Sequence, residues 1–331
     1  MSIIPHLEYY PDTRPGIRRE RRGRGFSYIA PDGTRIDDRS ERKRLSSLGI
    51  PPAWERVWIC PLSKGHLQAT GRDVKARKQY RYHPEWSAFR AQKKFDDLKA
   101  FGDGLPGLRR RILRDLRNTD AGDKDFAIAA VLALMDRASL RVGTQDYARE
   151  NGTFGATTLR GRHMRLENGT LNLSYQGKGG FKIEKSLKDR TLNRILSRLD
   201  DLPGPNLMSW QDNDGTARAI TSGEINGFLT DYFGNDMLTA KTFRTWSGSV
   251  AALDVAMSTD KPTIKAMSEA AAERLNNTPA ISRSSYIHPQ VIALHDTPED
   301  IRASIRNDAP DMDGLRRAEA QLLYLLSSQS A

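Results

Sequence analysis

Residues 163–187, HMRLENGTLNLSYQGKGGFKIEKSL, interrupt a chain that otherwise reads as helices from about residue 84 onward. Asn168-Gly169 is a type I′ hairpin signal, and Lys178-Gly179-Gly180 marks a second turn. Two turns between alternating segments predict a three-stranded meander with Lys178 at a hairpin tip. A meander embedded among helices restricts the fold to the α+β class, because its apolar face must be covered by the flanking helices.

The periodicity divides the chain a second time. Residues 11–25, PDTRPGIRRERRGRG, are rich in Arg, Gly and Pro and predict an arm or loop with little core. Pro31-Asp32-Gly33 reads as a turn between short strands. SERKRLSSL at 40–48 reads as a Ser-capped helix, WERVWIC as a strand, and HLQATGRDVKARKQYRYH as further strand and turn. From Pro84 the pattern turns helical, with Gly102 and Gly104 expected to end the first helix. Helices are expected over 106–118, 123–140, 188–200, 221–234, 239–256, 261–275 and 313–327, and Thr297-Pro298-Glu299-Asp300 resembles a helix start. The expected organisation is a β-rich domain over 1–90 and a larger, mainly helical domain over 91–331.

Charge follows the same division. The net charge is +11, yet residues 1–90 carry 19 Lys and Arg against 10 Asp and Glu, while the remainder carries 33 against 31. A basic excess concentrated in the first quarter points to nucleic acid, bound through phosphate neutralisation. No apolar run of about 18 residues exists, so no membrane span is expected. The start MSIIPHLEYYPDTRPG lacks a basic segment followed by an apolar one, so no secretory leader is expected. Cys60 is the only cysteine, which rules out an intramolecular disulfide and agrees with a reducing cytosol.

Several chemistries lack their motifs. The six histidines form no HExxH or other short ligand pair, so no metal site is expected. A phosphate-binding P-loop fails around Gly177-Lys178, where Asn172 replaces the first glycine and Gly179 the Ser or Thr. No cofactor and no nucleotide are expected.

Tyr286, near the end of NTPAISRSSYIHP, carries the positive case, with three cations upstream: Arg141 in LRVG, Lys178 in QGKGG and Arg244 in KTFRTW. A phenol with a pKa of about 10 is mostly protonated at neutral pH, and nearby cations favour its phenolate character. They also stabilise charge on a pentacoordinate phosphorus. Arg presents a planar fork to non-bridging oxygens, while a lysine ammonium can protonate a departing 5′-oxygen. Singly, each residue has a plainer reading. Tyr286 could be a packed aromatic, Lys178 a solvated turn, Arg141 a helix C-terminal cation and Arg244 a stacked structural arginine.

Their joint occurrence, with the local words around them, decides the matter. PGIRR, GRDVKARKQYRYHPEW, LRVG, YARENGTFGATTL, YQGKGG, KTFRTW and NTPAISRSSYIHP are similar to those of the bacterial, poxvirus-like type IB DNA topoisomerases, from about residue 15 to 290. The resemblance implies a monomeric, C-shaped clamp on duplex DNA at the bacterial nucleoid, relaxing supercoils of either sign without ATP or metal. It implies Tyr286 as nucleophile, Arg141 and Arg244 as transition-state clamps and Lys178 as general acid. Asn277 stands where many relatives carry histidine. It can donate to a phosphate oxygen but cannot transfer a proton. Arg77, Gln79, Tyr80 and Tyr82 resemble the family's DNA-reading cluster, and Tyr147 resembles a DNA-contacting tyrosine of the catalytic domain. The alternatives are a tyrosine recombinase, whose His-x-x-Arg pattern is broken here by Lys241, and an inactive DNA-binding protein of the same fold.

Overall fold

The computed structural model describes residues 6–74, 76–202 and 206–328, with residues 91 and 92 by backbone alone. Residues 1–5 of the amino-terminal segment read above for a leader, and Lys75 of the GRDVKARKQYRYHPEW word, lie outside the described residues. The chain forms two compact units, Met1–Lys93 and Lys94–Ala331.

The first unit is built on β1 (Ile17–Arg22), β2 (Gly25–Ile29), helix α1 (Arg39–Ser47), β3 (Glu55–Ile59), β4 (Leu67–Arg72) and β5 (Lys78–Tyr82); α2 (Pro84–Asp96) runs across its end. The strands form one antiparallel sheet in the order β2-β1-β3-β4-β5, with Ile17 opposite Ile59. Ile17, Tyr28, Leu45, Val57, Ile59 and Ala69 make its core. The expected arm is therefore corrected. Residues 17–22 are strand β1, and their polar run IRRERR hides a single inward residue, Ile17, only 2% exposed. The partner of β2 is this strand, while the segment after the Pro31–Gly33 turn contributes only a bridge between Ile29 and Arg35. The cap of α1 is Asp38, whose Oδ1 accepts from the Glu41 amide at 2.8 Å, rather than Ser40.

The second unit contains α3 (Leu98–Asn118), α4 (Lys124–Ala138) and α5 (Gln145–Asn151), then the meander β6 (Met164–Glu167), β7 (Thr170–Gln176) and β8 (Lys182–Lys188). It continues through α6 (Arg190–Asp200), the hairpin of β9 (Ser209–Gln211) and β10 (Ala217–Ala219), α7 (Ser222–Phe233), α8 (Ala240–Ser258) and α9 (Ile264–Leu275). Helices α10 (Pro279–Tyr286), α11 (Pro289–Ala293), α12 (Glu299–Asp308) and α13 (Arg317–Ser327) complete it. The α+β class is as expected, with an antiparallel sheet first and a helical core after it.

The meander turns where the sequence placed them, since Asn168 and Gly169 adopt φ of 50° and 74°. Residues 126–135 of α4 are buried all round, which makes it the central helix of the core. The expected stop at Gly102 and Gly104 is corrected, because both lie inside α3. A Cβ at Gly102 would come 2.5 Å from the Trp246 ring, and one at Gly104 would come 2.5 Å from the Phe233 ring. These glycines admit aromatic rings to the helix surface instead of ending it. Helices α5, α10 and α11 and the β9–β10 hairpin are too short for periodicity to announce. Among the described residues, no helix is long and apolar enough to cross a membrane, and no cluster of three His, Cys, Asp or Glu could hold a metal ion.

Candidate active site

Arg244 is the most constrained member of the candidate site. It sits within α8, only 4% exposed, so its charge must be held by fixed dipoles. Its Nη1 donates to the Ser139 carbonyl and its Nη2 to the Leu275 carbonyl at 2.8 Å. Those oxygens belong to the ends of α4 and α9, where partial negative charge favours a cation. Its Nε is buried with no partner. Burial, with Arg141 nearby, lowers the Arg244 pKa to about 10, which still leaves it charged at neutral pH.

The same helix receives Tyr286. The Arg244 guanidinium carbon lies 5.2 Å from the Tyr286 ring centroid, and the Lys241 Nζ lies 6.0 Å from it. One turn on, a Cβ at Gly248 would meet the Tyr286 carbonyl at 2.7 Å, so α8 and the end of α10 touch backbone to backbone. Ser249 Oγ donates to the Tyr286 carbonyl at 3.3 Å and accepts from the His288 amide at 2.9 Å. Residues 241, 244 and 248 thus form one helical stripe beside the phenol. Helix α10 ends at Tyr286. It begins with Pro279 in its first turn and the Thr278 hydroxyl accepting from the Ile281 amide.

Arg141 follows α4, whose C-cap Ser139 is left-handed at φ 55° and redirects the chain. Its Nη2 donates to Asn277 Oδ1. That bond occupies the amide oxygen and turns the Asn277 Nδ2 donor elsewhere, and Nδ2 is buried without a partner. The Asn277 backbone amide is anchored on the Ala272 carbonyl at 3.0 Å. Two donors, Arg244 Nε and Asn277 Nδ2, are therefore buried and unsatisfied, an expensive condition that an incoming oxyanion would relieve.

A cleft of only about 10 Å³ is lined by Arg141, Tyr175, Gly177, Lys185 and Arg244 among others. It has room for about one water and is too small to enclose a phosphate group. Lys178 is the residue after Gly177, exposed in the single turn Lys178–Gly180 between β7 and β8. Tyr175 and Lys185 were not singled out from the sequence. Burial raises the Tyr175 phenol to about 12 and lowers the Lys185 amine to about 8, the latter helped by Arg274 and Arg244.

The structure thus brings Arg141, Arg244, Asn277 and Tyr286 together, with Lys178 on the adjoining hairpin. The other candidates form separate groups. Tyr80 and Tyr82 lie on edge strand β5, 47% and 44% exposed, with rings stacked 6.0 Å apart. They are surface aromatics, not core ones. Gln79 Nε2 and Arg77 Nε both donate to Asp73 Oδ2, at 3.0 and 2.8 Å. Tyr147 is 43% exposed on α5.

The candidate site is therefore a phenol at a helix end, flanked by a buried arginine and an arginine–amide pair. The chain belongs to the type IB DNA topoisomerase family: the model described as eukaryotic DNA topoisomerase I, catalytic core, matches residues 83–312, and that of the bacterial DNA topoisomerase IB N-terminal domain matches residues 25–73. DNA topoisomerase 1B of Acanthamoeba polyphaga mimivirus is 27% identical over 310 residues, 89% of this chain and 92% of its own length. DNA topoisomerase 1 of Mycosarcoma maydis is 24% identical over 208 residues, 56% of this chain and 20% of its own length.

Proposed function

We propose that this type IB topoisomerase relaxes DNA supercoils through a covalent intermediate on Tyr286. The Tyr286 phenol gives up its proton to water, its Oη attacks the scissile phosphorus to form a P–O bond, and the bond to the 5′-oxygen breaks. Lys178 delivers a proton to that oxygen, because an alkoxide is a poor leaving group. Arg141 and Arg244 neutralise the non-bridging oxygens, and Asn277 donates its amide hydrogen without exchanging a proton. The free 5′-end rotates about the intact strand and its hydroxyl then attacks the phosphotyrosine, restoring the phenol and the strand.

The 3′-phosphotyrosyl bond conserves the phosphoester energy, so the cycle needs no nucleotide. The enzyme acts as a monomer at the bacterial nucleoid, with Arg77, Gln79, Tyr80, Tyr82 and Tyr147 contacting the duplex. The two units correspond to a DNA-binding domain and a catalytic domain. The observation that carries this reading is the Arg244 guanidinium 5.2 Å from the Tyr286 ring, with its Nε and the Asn277 Nδ2 buried and unpartnered.

The test is Tyr286→Phe, assayed on supercoiled plasmid without Mg²⁺ or ATP and on a suicide DNA substrate. Relaxation and adduct should disappear while DNA affinity is retained. An adduct that persists in this variant sinks the assignment.

A further inference from the structure

Strand β8 faces the core with Ile183, Lys185 and Leu187, following the two-residue period of a strand. Ile183 is 3% exposed, and Leu187 packs against the same core. Lys185 therefore occupies an inward position where an apolar side chain would be the default. The outward Lys182 on the same strand pairs with Glu184 at 2.7 Å in solvent. Lys185 instead sends its Nζ to the Arg274 carbonyl at 2.8 Å, at the C-terminal end of α9.

That helix end is already engaged by the candidate site. The next carbonyl, Leu275, accepts from Arg244, and the Ala272 carbonyl accepts from the Asn277 amide. Lys185 and Arg244 thus hold neighbouring carbonyls of one helix terminus, and both line the cleft beside Arg141. In the other direction along the chain, only residues 179–184 separate Lys185 from Lys178. The Gly177 amide donates to the Phe181 carbonyl at 2.8 Å and closes the tip between them.

We propose that Lys185 is a positioning residue that ties the Lys178 hairpin to the α9 terminus to which Arg244 and Asn277 are hydrogen-bonded. It sets the proton donor in register with the phosphate-binding groups. The proposal rests on the reading above that Lys178 protonates the 5′-oxygen. Because the amine reaches a backbone carbonyl rather than a carboxylate, its desolvation is offset only in part, by a helix-terminal dipole. A small displacement of a reacting group costs far more in rate than in stability. An anchor of this kind therefore acts on leaving-group protonation more than on DNA affinity.

The experiment measures single-turnover cleavage by the full chain carrying Lys178→Ala, Lys185→Met, Lys185→Arg or the K178A/K185M pair. Suicide substrates bear either an ordinary 5′-oxygen or a bridging 5′-thiol, which leaves without an acid. K185M should cleave the oxygen substrate at least about tenfold more slowly and recover most of that loss on the thiol substrate. The double variant should be no slower than K178A alone, because both changes remove one function. K185R, which keeps a donor for the Arg274 carbonyl, should retain most of the wild-type rate.

Wild-type rates in K185M, equal slowing on both substrates, or multiplicative losses in the double variant overturn the proposal. K185R as slow as K178A on the oxygen substrate also overturns it, and that variant decides the matter should K185M not fold. The thiol arm of K178A separates the two readings. If K178A is rescued and K185M is not, the positioning role alone fails. If K178A is not rescued, the acid assignment fails and this proposal fails with it.

Discussion

The Arg244 guanidinium carbon stands 5.2 Å from the Tyr286 ring centroid, while its Nη atoms are committed to the Ser139 and Leu275 carbonyls and its Nε is buried without a partner. A side chain fixed at two donors and vacant at a third is organised before any substrate arrives. Arg244→Lys keeps the charge but loses the fork that spans both carbonyls and still offers Nε. It should slow strand cleavage by about 10²-fold or more, the usual cost of one transition-state donor. Rapid-quench measurement of adduct formation checks this, and a loss of only a few-fold would mean that charge alone suffices.

Gly248 sets how closely α10 approaches α8. A Cβ there would meet the Tyr286 carbonyl at 2.7 Å and Leu275 Cδ1 at 2.9 Å. Gly248→Ala should destabilise the protein by about 1–3 kcal/mol, as overpacking does. It should also slow cleavage by more than about tenfold, because Tyr286, the proposed nucleophile, shifts. Denaturant melts and adduct assays on the same preparation test both parts. An unchanged cleavage rate would show that Tyr286 tolerates the displacement.

Tyr80 and Tyr82 stack in solvent at an interplanar angle of 8°, a flat aromatic step on the edge of the first unit's sheet. Aromatic contact with unpaired bases contributes about 1–3 kcal/mol per base, paired bases fall at the low end of that range, and neither releases a counterion. Tyr80→Ala should therefore weaken DNA binding by about tenfold without altering the slope of log affinity against log salt. Fluorescence anisotropy over a salt series reads both quantities. A change in slope would place the ring's role in orienting cations such as Lys78, whose Nζ lies 5.4 Å from the Tyr80 ring centroid.

The sequence singled out Tyr286 and its candidate cations but not how they are mounted, and the reason is physical. Asn168-Gly169 and Lys178-Gly179-Gly180 dictate local backbone geometry, so the meander and the place of Lys178 on it were legible. Arg141, Arg244, Asn277 and Tyr286 stood out only through the words around them, since their meeting depends on how α8, α9 and α10 pack. Lys185 was invisible for the converse reason. A lysine in KIEKSLK reads as solvent-facing, and only the core beneath β8 turns it inward. The misread segments share this cause. Ile17 alone betrays β1, and Gly102 and Gly104 look like stops until Trp246 and Phe233 occupy the space beside them.

His288, two residues beyond Tyr286, gives the fold an acid-side weakness. It is 9% exposed, and its ring sits edge-on to Phe95 with centroids 5.3 Å apart. Burial, with the Lys94 charge adding, lowers its pKa to about 4. Its unprotonated Nδ1 accepts from the Gln290 amide at 3.2 Å and caps α11. The folded pKa lies below the unfolded value of about 6.5, so the unfolded chain takes up the proton first. The stabilisation is complete above about pH 6.5 and is lost as pH falls through about 4, an effect of up to about 3 kcal/mol. His288→Asn keeps a capping acceptor but cannot titrate in this range. His66 and His163, whose pKa values burial also lowers, remain in both proteins and cancel in the comparison. The Glu319 carboxylate is held at about 2 by Arg109 and Arg316 and titrates below the window. Urea unfolding across this pH range should therefore show wild type losing stability more steeply than H288N. Parallel curves would mean that the imidazole is protonated in the folded state, with the cap lost.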